Sequence, residues 1–513
     1  MISLEFLLVV VLLIICLCYY RYHVYSYWSR MGVKCFSPSF PFGNFGKTFM
    51  KRISIGELLQ EFYQSVNEPF FGLYSMFDPV LVVCDPQLIR SVLVKDFHHF
   101  TDRGFYMDEV RDPLTGNLFS LGGDKWKQWR VKLSPAFTSG KIKAMFSSIV
   151  KCADPLEAHM VKLAEKESSV EVRDLSAGFT TNNIASTAFG LEIDCIADPN
   201  TPFRKYGKKY FSLDVKNGFR IMAQTVCPSL LKILGIKAMD QDVEDFFIDS
   251  VKQTLSYRED NNVTRPDFFQ LLVQLRNSGF VNRDGDHSWE TKITKNEDEK
   301  ALTLNEVAAN AFIFFIAGFE TSSSTMAYCL HELAKNHELQ RRAHQEIDEV
   351  MKKYNDEITY ESMTELKFLE CCIDETLRKY PALPVLTRTC TIPYTIPGTN
   401  VHINRGTLVM IPVFALHRDP TFYPDPDTFN PDRFYVDNIG AKPFVEQPML
   451  QFGDGPRICP GMRSGKLTTK IGLLKMLSKC RYDLAGPADI KFSSSSLVLS
   501  PNHGLKLKVT LRK

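Results

Sequence analysis

Phe452-Gly453-Asp454-Gly455-Pro456-Arg457-Ile458-Cys459-Pro460-Gly461 places a single cysteine in a glycine-marked loop, two residues after an arginine. Glycine tolerates tight turns and close approach to a bound group, so Gly453, Gly455 and Gly461 predict a sharply bent backbone around the sulfur. The apolar run over residues 471–477 predicts a helix that begins soon after Cys459. Amides at its start would face the sulfur, and that dipole, with Arg457 and Arg463 nearby, favours the thiolate, the form that binds metal.

A lone thiolate does not build a zinc or iron-sulfur site, which draw on several Cys or His ligands. It can serve as the axial ligand of haem. The chain's 13 cysteines show no paired spacing and no CxxC, which suits a reducing compartment with free thiols. A net charge of +2 excludes a strongly basic nucleic-acid binder. At 513 residues the length prior is roughly three domains of about 150 residues. Motifs that cooperate from Trp126 to Gly461 argue instead for one large domain.

Working back from the cysteine, Glu375 and Arg378 lie one helical turn apart on a helix with a Leu366, Leu369, Ile373, Leu377 stripe. Further back, Thr303 and Glu306 form a capping box that opens a helical run to about Asn336. In its middle lies Ala317-Gly318-Phe319-Glu320-Thr321, where a glycine followed by a back-bonding hydroxyl predicts a loosened helix ladder. Trp126 and Arg130 share one face of an earlier helix.

Phe452, Gly455, Arg457, Cys459 and Gly461 fill every fixed position of the haem-binding signature of the cytochrome P-450 superfamily, which the chain resembles over nearly all of its length after residue 35. Segments around Thr180-Thr181, Asp198-Pro199 with Phe203-Arg204, and residues 267–279 look like the insect microsomal branch, family six. The resemblance implies a mainly α fold with a small β region, a single large haem domain, and haem b held by the Cys459 thiolate. It implies that Phe452, Arg457 and Gly461 surround the haem, that Trp126 and Arg130 bind one haem propionate, and that Arg388 binds the other. Glu320 and Thr321 become the acid and alcohol that help deliver protons. Glu375 and Arg378 become a lock closed by Arg433 of Pro431-Asp432-Arg433-Phe434. The loop over residues 101–123 is expected to roof the substrate pocket, with Phe105, Phe119, Phe312, Phe315 and Val385 on its walls and the turn at residues 494–500 closing it.

The implied reaction is insertion of one oxygen atom of O₂ into an apolar small molecule, with electrons from NADPH through a reductase and cytochrome b5 as a second donor. A haem-thiolate isomerase or dehydratase that needs no external electrons is one alternative, against which Glu320 and Thr321 argue; a non-catalytic haem-binding protein is the other, and failure to consume NADPH with a reductase would mark it. Residues 2–20 are apolar apart from Ser3 and Glu5 and end at Tyr19, Tyr20 and Arg21, which predicts a signal-anchor over 1–21 that is retained. Residues 22–45 then read as a basic, proline-containing hinge and 46–513 as the catalytic domain, on the cytosolic side of the endoplasmic reticulum membrane. An apolar patch over residues 227–236, edged by lysines, is expected to touch lipid. A positive patch of Lys125, Lys127, Lys132, Arg463 and Lys466 is expected to receive the reductase.

Overall fold

The computed structural model describes residues 4–211, 215–226, 228–282, 289, 302–435 and 444–512. The charged, weakly patterned stretch over 282–300, which reads in the sequence as a flexible surface connection, lies almost wholly outside the described residues. Helix α1 (Leu4–Tyr25) is followed by α2 (Gly123–Leu133), α3 (Ser139–Glu165), α4 (Val172–Phe189), α5 (Pro202–Tyr210), α6 (Val215–Val226), α7 (Gln241–Asp260), α8 (Phe268–Ser278), α9 (Leu304–Lys335), α10 (Lys367–Lys379) and α11 (Met462–Leu477), with further helices between them, among them His337–Lys353. The mainly α expectation holds.

The β region is small and set to one side. Strands β1 (Phe70–Ser75), β2 (Asp78–Val83), β4 (Leu386–Thr389) and β7 (Leu408–Ile411) form one sheet in the order β1-β2-β7-β4. Residues 73–76 and 80–84 read in the sequence as the two strands of a hairpin, and β1 and β2 form it with Leu73 opposite Val80. Strands β3 (Ser169–Glu171), β8 (Cys480–Leu484) and β9 (Lys506–Leu511) make a second sheet, and β5 (Tyr394–Thr395) pairs with β6 (His402–Ile403).

Helix α9 is the axis of the fold. Thr303 accepts from the Glu306 amide, the Glu306 side chain accepts from the Thr303 amide, and the helix runs unbroken to Lys335 with Asn336 as its C-cap. Over 32 residues it spans about 48 Å at a rise of 1.5 Å per residue. Helix α9 is not interrupted at Gly318, where the sequence predicts only a loosened ladder. Gly318 instead permits close approach of α4, because a Cβ there would fall 2.4 Å from Ile184 Cδ1. Thr321 does bond back, donating to the Ala317 carbonyl at 2.6 Å.

The body is tied down well before residue 46. Trp28 is fully buried, its indole N–H donates to the Leu73 carbonyl at 2.9 Å, and a Cβ on Gly72 would collide with its ring. The stretch read as a hinge is thus docked on the sheet. Ahead of it, α1 leaves Phe6, Leu8, Leu12 and Ile15 more than half exposed. Among the described residues, no helix is long and apolar enough to cross a membrane.

Candidate active site

The cysteine loop folds as its glycines dictate. Gly453 and Gly455 take φ of 76° and 68°, a left-handed backbone that side chains rarely adopt. At Gly455 a Cβ would also sit 2.0 Å from the Leu93 carbonyl oxygen. Gly461 needs no such freedom, since its φ is −84° and a Cβ would meet only Phe137 at 3.8 Å. The Cys459 amide donates to the Phe452 carbonyl at 2.9 Å, closing the loop on itself, and α11 begins three residues later at Met462.

Above the loop lies a cavity of about 280 Å³. Cys459, Phe452, Arg457 and Gly461 line it, with Trp126 and Arg130 from α2, Arg388 from β4, Phe105 and Phe119 from the 101–123 loop, Val385, Leu497, and Thr321 from α9. Among the described residues, Cys459 is the only cysteine that lines it. Burial pushes its thiol pKa up, opposed by the Gly461 amide and by Arg103 and Arg130. The neighbouring positive charges are thus Arg103 and Arg130, not Arg457 and Arg463 as expected from sequence distance. Arg463 instead bonds Ser139 at the surface.

Among the described residues, four arginines line this cavity and no carboxylate residue does. Arg457 donates to the Thr101 and Leu121 carbonyls at 2.9 and 2.7 Å and stacks 3.8 Å over Trp126. Burial holds its pKa down to about 8, with Arg103 and Arg388 adding repulsion. Arg388 is held down to about 9 and Arg103 to about 10, burial again the main cause. Arg457 Nη1 and Arg388 Nε are buried without a hydrogen-bond partner. Buried cations with orphaned donors call for an anionic ligand. A haem with two carboxylates and an iron for the thiolate fits that need.

Arg103 is the functional residue that motif reading missed. It donates to the Phe119 carbonyl at 3.1 Å and the Arg457 carbonyl at 2.9 Å and lies 4.2 Å over the Phe119 ring. It stands in the roof loop, remote from every motif, and only the fold brings it to the cysteine. The aromatic pair Phe105 and Phe119, with ring centroids 4.9 Å apart, meets the expectation for the pocket wall.

Phe312 and Phe315 do not line the cavity. Both are buried in an aromatic core with Phe247 and, for Phe315, Phe203 and Phe189. Helical phase is the reason: Ala317, Gly318 and Thr321 line the cavity, and the positions one turn or two turns back on that face are Ile313 and Phe314, which line it as well. Counting back from Thr321 in steps of three and four finds them in the sequence.

Glu320 lies off the cavity wall. Its carboxylate is buried, paired with Arg173 of α4, and accepts from Ser324 at 3.1 Å and Ser500 at 3.3 Å. The pair Glu375 and Arg378 is fully buried, with two bonds at 2.7 and 2.8 Å, and Arg433 reaches the same carboxylate at 3.3 Å. Asp432 stays out of that lock and binds Arg342 at 2.7 and 2.9 Å.

The cytochrome P450 family model matches residues 37–509. The chain is 37% identical to a probable cytochrome P450 6d4 of Drosophila melanogaster over 99% of its own length and 98% of the relative's. It is 38% identical to cytochrome P450 6a2 of the same fly, covering 96% of each. Cytochrome P450 6A1 of Musca domestica shares 36% over 94% of each chain. The matched span takes in every wall of the cavity, its single thiol and its ring of arginines, and this chain therefore belongs to the cytochrome P450 family of haem-thiolate monooxygenases.

Proposed function

We propose that this enzyme hydroxylates apolar small molecules, xenobiotics such as insecticides and plant toxins or endogenous hormones and lipids, with electrons passed from NADPH through a membrane-bound reductase. The apolar wall of Phe105, Leu118, Phe119, Ile313, Val385 and Leu497 above the cysteine carries this reading. Such a wall favours ligands without charge, since an ion there loses hydration with no partner gained. Haem supplies the redox chemistry when bound, and the chain supplies the thiolate ligand, the shape of the pocket and the protons. The exposed apolar side chains of α1, with Ile233 and Leu234 at 80% and 56% exposure in the 227–236 patch, support attachment to the endoplasmic reticulum membrane by burying apolar surface in lipid. Screening hormones, terpenoids, fatty acids and insecticides for a shift in the haem spectrum tests the substrate class, and a purified enzyme that shifts only with charged, polar compounds refutes it.

Thr321 is the proton-handling residue in this reading. Its hydrogen is committed to the Ala317 carbonyl, so its oxygen lone pairs are free to accept a hydrogen bond from a water in the cavity. Behind it, Glu320, paired with Arg173, is the group through which protons arrive from solvent. Thr321→Ala is expected to leave haem content and ligand-induced spectral shifts intact and to divert NADPH from product to hydrogen peroxide, a loss in the chemical step and not in binding. The ratio of product to NADPH consumed, read beside peroxide yield, checks this. An unchanged ratio with reduced stability would mean that Thr321 only satisfies the helix carbonyl.

The reductase surface is narrower than the sequence suggests. Lys125 is paired with Glu109 at 2.6 Å and Glu306 at 3.4 Å, and Lys466 with Asp374 at 2.6 Å. Lys127 and Lys132 make no ion pair among the described residues, and Lys127 is exposed. Reversing both to Glu is expected to slow reduction by the reductase more than it weakens substrate binding. The defect should shrink as salt rises, since the Debye length falls from about 10 Å at 0.1 M to about 3 Å at 1 M. Equal reduction rates for both proteins across a salt series would exclude this surface.

A further inference from the structure

Helix α2 carries Trp126 and Arg130 to the cavity, yet it has no cap of its own. Gly122 stands at its N-cap position, where no side chain can accept a hydrogen bond, and Gly123 follows with φ of 54°. A helix leaves its first amides unsatisfied, and an Asp, Asn, Ser or Thr beside them normally supplies the acceptor. Here the acceptor comes from 21 positions earlier in the chain: Asp102 Oδ1 accepts from the Gly123 amide at 2.7 Å. Gly122 makes room for it, because a Cβ there would fall 2.5 Å from Asp102 Oδ2.

The same residue is tied to a second element that bears an arginine. Its carbonyl accepts from the Thr389 amide at 2.8 Å, an antiparallel bridge to the end of β4 beside Arg388. On either side of it, the Thr101 carbonyl accepts from Arg457 Nε at 2.9 Å and the Arg103 carbonyl accepts from the Thr387 hydroxyl at 2.7 Å. Gly104 completes the crossing with φ of 80°, and a Cβ there would fall 2.5 Å from the Thr389 hydroxyl oxygen. The Asp102 charge also works against the burial and the neighbouring arginines that hold the Arg457 pKa down. Helix α2, strand β4 and the cysteine loop thus meet on one short piece of chain.

We infer that Asp102 is a positioning residue for haem: its carboxylate caps α2 from outside the helix and sets where Trp126 and Arg130 stand relative to Arg388 on β4. The inference rests on the reading that these side chains hold the haem carboxylates. A turn at residues 101–104 would need only the bond from the Thr101 hydroxyl to Asp102 Oδ1, at 2.9 Å, and that bond leaves α2 untouched. The other tie at the start of α2 is Lys125, paired with Glu109 and Glu306, and all three side chains are partly exposed, so solvent weakens the pairs. Without the cap the first turn of α2 would fray. Trp126 stands in that turn: its amide donates to the Gly122 carbonyl at 3.1 Å, and Arg457 lies 3.8 Å over its ring.

The test follows transfer of haem from the loaded, full-length enzyme to excess apomyoglobin. Asp102→Ala is expected to speed transfer by roughly five- to tenfold, the scale of one helix cap. Asp102→Asn keeps an acceptor of equal capping strength and should stay within about twofold of wild type. Gly122→Ala, which crowds the carboxylate away from the helix, should speed transfer in the same direction, so the outcome does not hang on one variant's folding. Thr359→Ala removes a cap of the same kind, one that accepts from the Ser362 amide at 3.0 Å on the helix Tyr360–Glu365, none of whose residues lines the cavity. It should lower the denaturant midpoint about as much as Asp102→Ala does and leave haem transfer unchanged. Arg130→Ala tests the reading underneath, and transfer as slow as in wild type there would overturn the haem seating itself. Faster transfer in Arg130→Ala but not in Asp102→Ala, or loss from Asp102→Asn as fast as from Asp102→Ala, would overturn the cap alone.

Discussion

Replacing Cys459 by serine is expected to abolish the red-shifted absorption of the reduced carbon monoxide complex and all monooxygenase activity, while leaving the chain folded. Among the described residues no other cysteine lines the cavity, and none of them offers a neighbouring sulfur to replace it. Cys84, Cys329, Cys372 and Cys390 are buried elsewhere, the first three with thiol pKa values pushed up by burial, as inert core thiols are. A neutral serine hydroxyl is a poor iron ligand and supplies none of the electron density that a thiolate pushes onto the metal. The fold does not depend on the sulfur, because the loop is closed by the backbone bond from Cys459 to Phe452 and by the two left-handed glycines. Absorption spectra of the reduced variant under carbon monoxide read the outcome, with circular dichroism as the check on folding. Persistence of the red-shifted band would sink the ligand assignment. Cys390→Ser, at a buried position off the cavity, should keep it.

The contrast between these cysteines shows which parts of the molecule the sequence discloses. A residue held by its own local backbone is legible: the glycine loop, the Thr303 capping box and the Glu375–Arg378 pair all depend on neighbours a few positions away. The pocket wall is less so. Phe312 and Phe315 looked apolar enough to face substrate, yet α9 is apolar on several faces, and only its phase relative to Thr321 tells wall from core. Arg103 was invisible because nothing in Asp102-Arg103-Gly104 marks it, and its role comes from a chain reversal that carries residues 101–103 to Arg457. Glu320 was legible as an acid beside Thr321, but not as the partner of Arg173, which lies 147 positions earlier. Long-range pairing is where a single sequence runs out.

Glu375→Ala is expected to destabilise the protein by roughly 3–5 kcal/mol, the cost of breaking a buried ion pair by removing one member. Both side chains are fully inaccessible to solvent. The carboxylate is held by Arg378 through two bonds, by Arg433, and by the Asn430 amide at 2.9 Å. Alanine leaves two guanidinium groups facing each other without their shared anion, and Arg378 cannot reach water to recover. The damage is also directed. Arg378 donates onward to the His417 and Pro426 carbonyls at 2.8 Å, and the His417 ring bonds the Arg378 carbonyl through Nδ1 and accepts from the Leu450 amide at 3.1 Å through Nε2. Burial and the Arg378 charge hold the pKa of His417 down to about 3, so it is neutral, with its one ring proton on Nδ1 and Nε2 free to accept. Leu450 lies two residues before Phe452. The lock on α10 therefore reaches the cysteine loop through one arginine and one histidine. Two measurements separate this from ordinary core damage. The denaturant midpoint of Glu375→Ala should fall, and its haem content after expression should fall further than that of a large-to-small variant in the remote aromatic core, such as Phe247→Leu. Adding Arg378→Met to Glu375→Ala should recover part of the lost stability, because it removes a buried unpaired charge and leaves apolar bulk. A single variant that stays within about 0.5 kcal/mol of wild type, the range of an indifferent surface change, would show that the lock does not hold the fold together.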